Sequence, residues 1–237
     1  MGEMMNLNVI YEDNHIIVVE KLCNVPSQKD DTGDVDMTFI VKEYLRSKYN
    51  KKGNVYLGLV HRLDRPVGGI MLFAKTSKAA SRLSSCIRNN EMEKYYLAVI
   101  NGKIKPKEGI LKDYLLKNKK TNMVSVVIED TIGAKEAILE YKILKEVDNL
   151  SLVMVKLITG RSHQIRVQFK NMGASLYGDQ RYGVGTSQKG QQIALWSYKI
   201  SFMHPVKKTL MQFSIEPKSE YIPWRFFKMT EIIRRGE

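Results

Sequence analysis

The chain is most tightly constrained over residues 57–74, where two short apolar runs bracket a cluster of charge. Leu57, Leu59 and Val60 form the first run and Ile70 to Ala74 the second. Between them stand His61, Arg62, Asp64 and Arg65, closed off by Pro66 and the pair Gly68-Gly69. Apolar runs of this length, bounded by Pro and Gly, predict buried strands. One carboxylate flanked by two guanidinium groups is then held in a short link tethered to core at both ends. One reading is an ion-paired surface turn, which contributes little to stability. The other is a functional group on a rigidly supported loop, where catalytic side chains concentrate. The residues alone leave both open.

The rest of the chain alternates strand and helix signals. Residues 8–14 and 15–20 predict a hairpin turning at Asp13-Asn14, and polar residues 27–36 a loop. A helix is expected over Met37–Tyr49, with Phe39, Ile40, Tyr44 and Leu45 on one face. A second is expected over Ser77–Asn90, capped by Ser77, with Ala80, Leu83 and Ile87 as its apolar stripe and Cys86 a small core residue. Residues 94–101 read as a strand, 103–135 as several short strands, and 137–146 with 150–159 as a hairpin. A third helix is expected from His163 to Met172, with Ser162 as its cap and Gly173 as its left-handed stop. Ile165, Phe169 and Met172 mark its buried face. Further strands are predicted over 192–201 and 210–215, and a loop without an apolar anchor over 183–190. No repeat or linker divides the chain, so residues 1–237 are expected to form one domain. Strands and helices without regular βαβ alternation imply an α+β fold.

Charge narrows the partner. Thirty-eight Lys and Arg against 25 Asp and Glu leave a formal net charge of +13, which favours a polyanion, nucleic acid ahead of an anionic membrane. Two distant cysteines argue against a disulfide framework and for a reducing compartment. Four scattered histidines give no metal-ligand spacing. No phosphate-cradling Gly loop is evident, so neither metal nor cofactor is expected. No apolar run reaches membrane-spanning length, and the first residues lack a signal-peptide pattern, so a cytoplasmic protein is expected.

His61-Arg62-Leu63-Asp64 resembles the signature of the RluA-type family of RNA pseudouridine synthases. Lys94-Tyr95-Tyr96-Leu97-Ala98-Val99, Gly160-Arg161-Ser162-His163-Gln164-Ile165-Arg166-Val167 and Gly178-Asp179-Gln180-Arg181-Tyr182-Gly183 follow in the family's order. The likeness covers roughly residues 10 to 215. It implies a bent, mainly antiparallel mixed sheet with flanking helices and a central catalytic cleft. It also implies isomerisation of uridine to pseudouridine in structured RNA, a stem-loop of large-subunit ribosomal RNA or of transfer RNA. On this resemblance Asp64 is the catalytic residue, Arg166 its basic partner, and Tyr96 the aromatic set against the target base. Ile165 would pack beneath the site, and Arg62 would displace the base. A strand tyrosine is more often plain core, and Arg166 also reads as a solvated helix arginine. Arg161, Ser162 and His163, where a helix begins, would favour a phosphate. His163 reads equally as a buried structural histidine. Arg181 and Tyr182 would flank the RNA.

The chain resembles a short form of the family without an N-terminal S4-like RNA-binding domain, and a monomer is expected. One departure stands out: relatives carry Lys-Pro after the first hairpin, whereas Lys21 is followed here by Leu22. Two rivals remain. A non-catalytic RNA-binding module would use the same basic surface. A carboxylate-based hydrolase would need a second carboxylate, and the motifs supply one Asp among arginines.

Overall fold

A computed structural model describes residues 7–228. The described residues divide into two compact units, one formed by residues 7–92 together with Lys199–Ile215, the other by Glu93–Tyr198 together with residues 216–228.

The first unit opens with the expected hairpin, β1 (Val9–Glu12) and β2 (Ile16–Lys21), paired antiparallel. Its turn is fixed by Asp13, whose carboxylate accepts the amides of His15 (2.8 Å) and Ile16 (3.0 Å). β2 pairs antiparallel with β4 (Gly68–Ala74), in a register that sets Lys21 opposite Gly69. β3 is only Gly58–Leu59, half-buried, and pairs with the far end of β4. The expectation of two buried strands therefore holds for β4, buried throughout, and not for its partner.

α1 (Met37–Lys48) starts at Asp36, whose side chain accepts the amides of Thr38 and Phe39. It buries Met37, Val41 and Leu45, while Phe39, expected on the inner face, is 53% exposed. The stripe lies one step round from the expected one because Met37 and Val41, not Phe39 and Ile40, align with Leu45. α2 (Ser77–Arg88) is capped by Thr76, not Ser77: the Thr76 hydroxyl accepts the Ala79 amide at 3.2 Å. The buried face of α2 is Ala79, Leu83 and Cys86, with Ala80 and Ile87 only half-buried against the same core. That core joins Ile16, Val18, Ile70 and Leu72 to Ile200 and Phe202. The last two come from the end of β10 (Leu195–Met203), which pairs antiparallel with β11 (Leu210–Ser214).

The second unit is an antiparallel sheet in the order β5 (Glu93–Asn101), β9 (Leu150–Leu157), β8 (Lys135–Val147), β6 (Glu108–Lys117), β7 (Val124–Val127). α3 runs over Gln164–Asn171 and contacts β6 and β7. Its first residue follows His163, which sits in the left-handed region at φ 52 and makes no side-chain cap; Ser162 is not the cap. Gly173 takes the left-handed stop, as expected. All six residues from Gln164 to Phe169 are buried, so α3 has no solvated face there. Two glutamines make this tolerable. Gln164 donates to the Ile138 carbonyl (3.0 Å), and Gln168 to Asp113 (2.8 Å) and the Ala137 carbonyl (3.1 Å). The Nε2 groups of both amides thus keep partners away from water, while the Gln168 Oε1 is buried without one.

Candidate active site

Asp64 lies on the link between β3 and β4, and the backbone on both sides of it is pinned. Before it, the Ser27 hydroxyl donates to the Leu63 carbonyl at 2.6 Å and accepts the Leu63 amide at 3.1 Å. After it, the Lys21 ammonium donates to the carbonyls of Arg65 (2.9 Å), Val67 (2.6 Å) and Leu22 (3.1 Å). The Val67 amide closes a turn onto the Asp64 carbonyl at 2.9 Å. His61 Nε2 accepts the Leu72 amide at 3.0 Å, which fixes that nitrogen as unprotonated. Gly69 enters β4 at φ 115, a conformation that a side chain would oppose. Asp64 and Arg65 are half-buried and Arg62 is exposed. Arg65 turns away to Asp34 and to Thr32 (2.8 Å), drawing the 30–34 loop to this segment.

Lys21 is fully buried, an unusual place for an ammonium. Burial pushes it down to about 8, against the raising influence of Cys23 and Asp64. Its protons hold the loop.

In the second unit, Arg166 is 6% exposed, so the alternative of a solvated helix arginine does not hold. Its guanidinium grips Asp179 at two points, Nε to Oδ2 and Nη2 to Oδ1, both at 2.8 Å. Asp179 also accepts the amides of Arg181 (2.9 Å) and Tyr182 (3.0 Å). Burial pushes this carboxyl up, but Arg166 and the two amides outweigh it and hold it below the ordinary range. Gly178, at φ +74, leaves no room for a side chain: a Cβ would stand 2.0 Å from the Gln192 carbonyl oxygen.

Tyr182 is buried, with the Arg166 guanidinium 5.1 Å from its ring centre. Its hydroxyl lies 2.7 Å from His163 Nδ1 and accepts the Val124 amide at 3.0 Å. The structure therefore brings His163, Arg166, Asp179 and Tyr182 together, and gives Tyr182 a supporting position with little ring exposed to a nucleotide. Arg181 is exposed and reaches the Asn122 carbonyl at 2.8 Å; Arg161, also exposed, reaches that of Glu136 at 2.8 Å. Ser162 is half-buried and Ile165 is buried. Tyr96 is 7% exposed on β5, opposite Val155, and Ala98 and Ile100 on its face are fully buried.

Three residues of this framework escaped the sequence reading. Ser27 gave no signal, being one serine in a polar loop. Lys21 was visible only as half of an altered Lys-Pro pair. Asp179 stood inside a matched motif, yet its carboxylate was passed over for its neighbours. Among the described residues, no group of three or more His, Cys, Asp or Glu side chains is placed to hold a metal ion.

A family model described as RNA pseudouridylate synthase matches residues 15–171. The chain belongs to that family. It is an RNA pseudouridine synthase, an isomerase, with the α+β fold of those enzymes. It is similar to an uncharacterized RNA pseudouridine synthase of Bacillus subtilis, at 32% identity over 90% of this chain and 73% of that protein. It is also similar to the ribosomal large subunit pseudouridine synthase C of Vibrio vulnificus, at 32% identity over 90% of this chain and 66% of the relative. Among solved structures, human RNA pseudouridylate synthase domain containing 1 superposes with a TM-score of 0.75 at 20% identity, covering 99% of this chain and 96% of that one. No helix among the described residues is long and apolar enough to cross a membrane.

Proposed function

We propose that this synthase isomerises specific uridines of large-subunit ribosomal RNA, with Asp64 as its catalytic carboxylate. The observation that carries the reading is the doubly pinned link: Ser27 and Lys21 fix the backbone on either side of Asp64. A reacting group must be held to a fraction of an ångström to be effective, and such a clamp supplies that. The reaction detaches uracil from C1′ of its ribose, turns it and rejoins it through C5, so nothing is oxidised or hydrolysed overall. What it needs is a carboxylate acting at the sugar as nucleophile or base. Asp64 has the chemistry and the support.

The target uridine must leave its stack, which costs a few kcal/mol. Arg62, exposed two residues before Asp64, is assigned to hold the vacated place. Tyr96 and Arg166 are assigned to the same reaction on the order of the family motifs, with Ile165 as packing. Arg161, Ser162, His163 and Arg181 are assigned to RNA contact. Tyr182 is assigned to supporting Arg166. The large-subunit substrate is supported by the similarity to the Vibrio large-subunit synthase, and an RNA partner by the net charge of +13. The proposal includes residues 1–237 working as one catalytic domain, in a cytoplasmic monomer without metal or cofactor.

The test is to map pseudouridine in RNA from a strain lacking this protein, before and after incubation with the purified enzyme. New pseudouridine at discrete large-subunit positions is expected. New sites in transfer RNA alone would overturn the substrate, and no new site in any RNA would overturn the function.

A further inference from the structure

On the first unit, a cavity of about 450 Å³ is lined by Lys42, Arg46, Asn54, Val55, Tyr56 and Leu57. Its volume lies in the range of small-ligand sites. Lys42 and Arg46 are four apart on α1, so they project from one face and bring two positive charges to one wall. Tyr56, on the facing segment, is 48% exposed. Its hydroxyl folds back over the next strand, 3.1 Å from where a Cβ on Gly58 would stand, so the absence of a side chain at Gly58 lets the ring lie there. Arg46 also holds Glu43, one turn back. A guanidinium has five donors and can keep that carboxylate while accepting a second anion.

A cavity lined by one aromatic ring and two cations suits a nucleotide: bases stack on tyrosine whatever their sequence, and Lys and Arg take the phosphate. The site's place in the chain points to the same RNA that reaches Asp64. Tyr56 leads straight into β3, which pairs with the Ala74 end of β4, whereas Asp64 adjoins the Gly68 end. At the rise of a strand these ends are about 20 Å apart, too far for one nucleotide to occupy both.

We propose that this cavity is a subsite for a nucleotide flanking the target uridine, its base stacked on Tyr56 and its phosphate between Lys42 and Arg46. The inference rests on the RNA-modifying function above and adds a second point of attachment to it.

The test measures binding of a fluorescein-labelled 12-nucleotide oligouridine across a salt series, alongside tritium release from [5-³H]uridine RNA. Tyr56→Ala is expected to weaken oligouridine binding at least about 5-fold, and Tyr56→Phe to leave it unchanged. Lys42→Gln with Arg46→Gln is expected to reduce the slope of log affinity against log salt by about 0.7, one phosphate contact on single-stranded RNA. The control Lys51→Gln with Lys52→Gln removes the same charge outside the cavity and is expected to keep the slope within half of that change. Circular dichroism spectra matching wild type establish that the variants are folded. Wild-type affinity and slope in folded Tyr56→Ala and Lys42→Gln/Arg46→Gln proteins would overturn the subsite. So would a loss in the control equal to that in the cavity pair, which would mean diffuse charge. If wild type releases no tritium while the cavity variants still lose oligouridine affinity, the subsite stands and the proposed function falls.

Discussion

Ser27 and Leu63 are joined by two hydrogen bonds through a single hydroxyl, which donates to the Leu63 carbonyl at 2.6 Å and accepts the Leu63 amide at 3.1 Å. Both residues are buried, so the hydroxyl satisfies a donor and an acceptor that water does not reach. Ser27→Ala leaves both orphaned, at a cost of about 1–3 kcal/mol. The expected result is a lower melting temperature and a fall in kcat of about tenfold, with KM for RNA little changed. Ser27→Thr, which keeps the hydroxyl, should recover most of the rate. A fall in stability with an unchanged kcat would show that the clasp supports the fold alone.

Lys21 carries a pH signature of its own. Its folded value, about 8, lies below its ordinary value of 10.5, so the native protein releases this proton first. Between about pH 8 and 10.5 the unfolded chain binds more protons, and stability contributed by this group rises with pH. Below pH 8 the burial cost is present in full, up to about 3 kcal/mol for a shift of this size. The difference in unfolding free energy between wild type and Lys21→Met should therefore move in favour of wild type from pH 8 to 10.5. The Met variant should also lose kcat at pH 7, because the carbonyls of Arg65 and Val67 lose their donor. A pH-independent difference would contradict a buried ammonium.

The Arg166–Asp179 pair is buried, 7% and 0% exposed at the side chains, and bidentate. Removing one partner of such a pair costs about 3–5 kcal/mol because the other charge stays in a dry site. Asp179→Asn is expected to lower the melting temperature by roughly 10 °C for a chain of this size. Asp179→Asn combined with Arg166→Met should cost less than the sum of the two single changes, which a double-mutant cycle measures. Additive losses would mean that the pair is not coupled.

Much of this framework could be read from the residues, and the failures have physical reasons. The first hairpin was legible because Asp13 carries its own turn chemistry. Gly173 was legible because a helix end that needs positive φ favours glycine. The cap of α2 was misplaced by one residue because Thr76 and Ser77 offer the same hydroxyl, and only geometry chooses between them. The burial of α3 was not legible. Periodicity counts Gln164 and Gln168 as solvent-facing, whereas tertiary carbonyls on β8 make them interior. The charged link that carries Asp64 was legible between its two apolar runs, but the groups that hold that link were not. Ser27 is 36 residues away from Leu63, and Lys21 is 46 from Val67. Contacts across that separation leave no local pattern.

Asp64, held by this clamp, is the residue proposed to carry the isomerisation. Tritium release from [5-³H]uridine RNA, comparing wild type with Asp64→Asn at equal protein, tests it most directly. The substitution preserves size and removes the carboxylate's charge and nucleophilicity. Release by wild type and none above background by Asp64→Asn, with RNA affinity within a few-fold of wild type, is the result expected. Release at equal rates by both proteins would show that another residue does the chemistry.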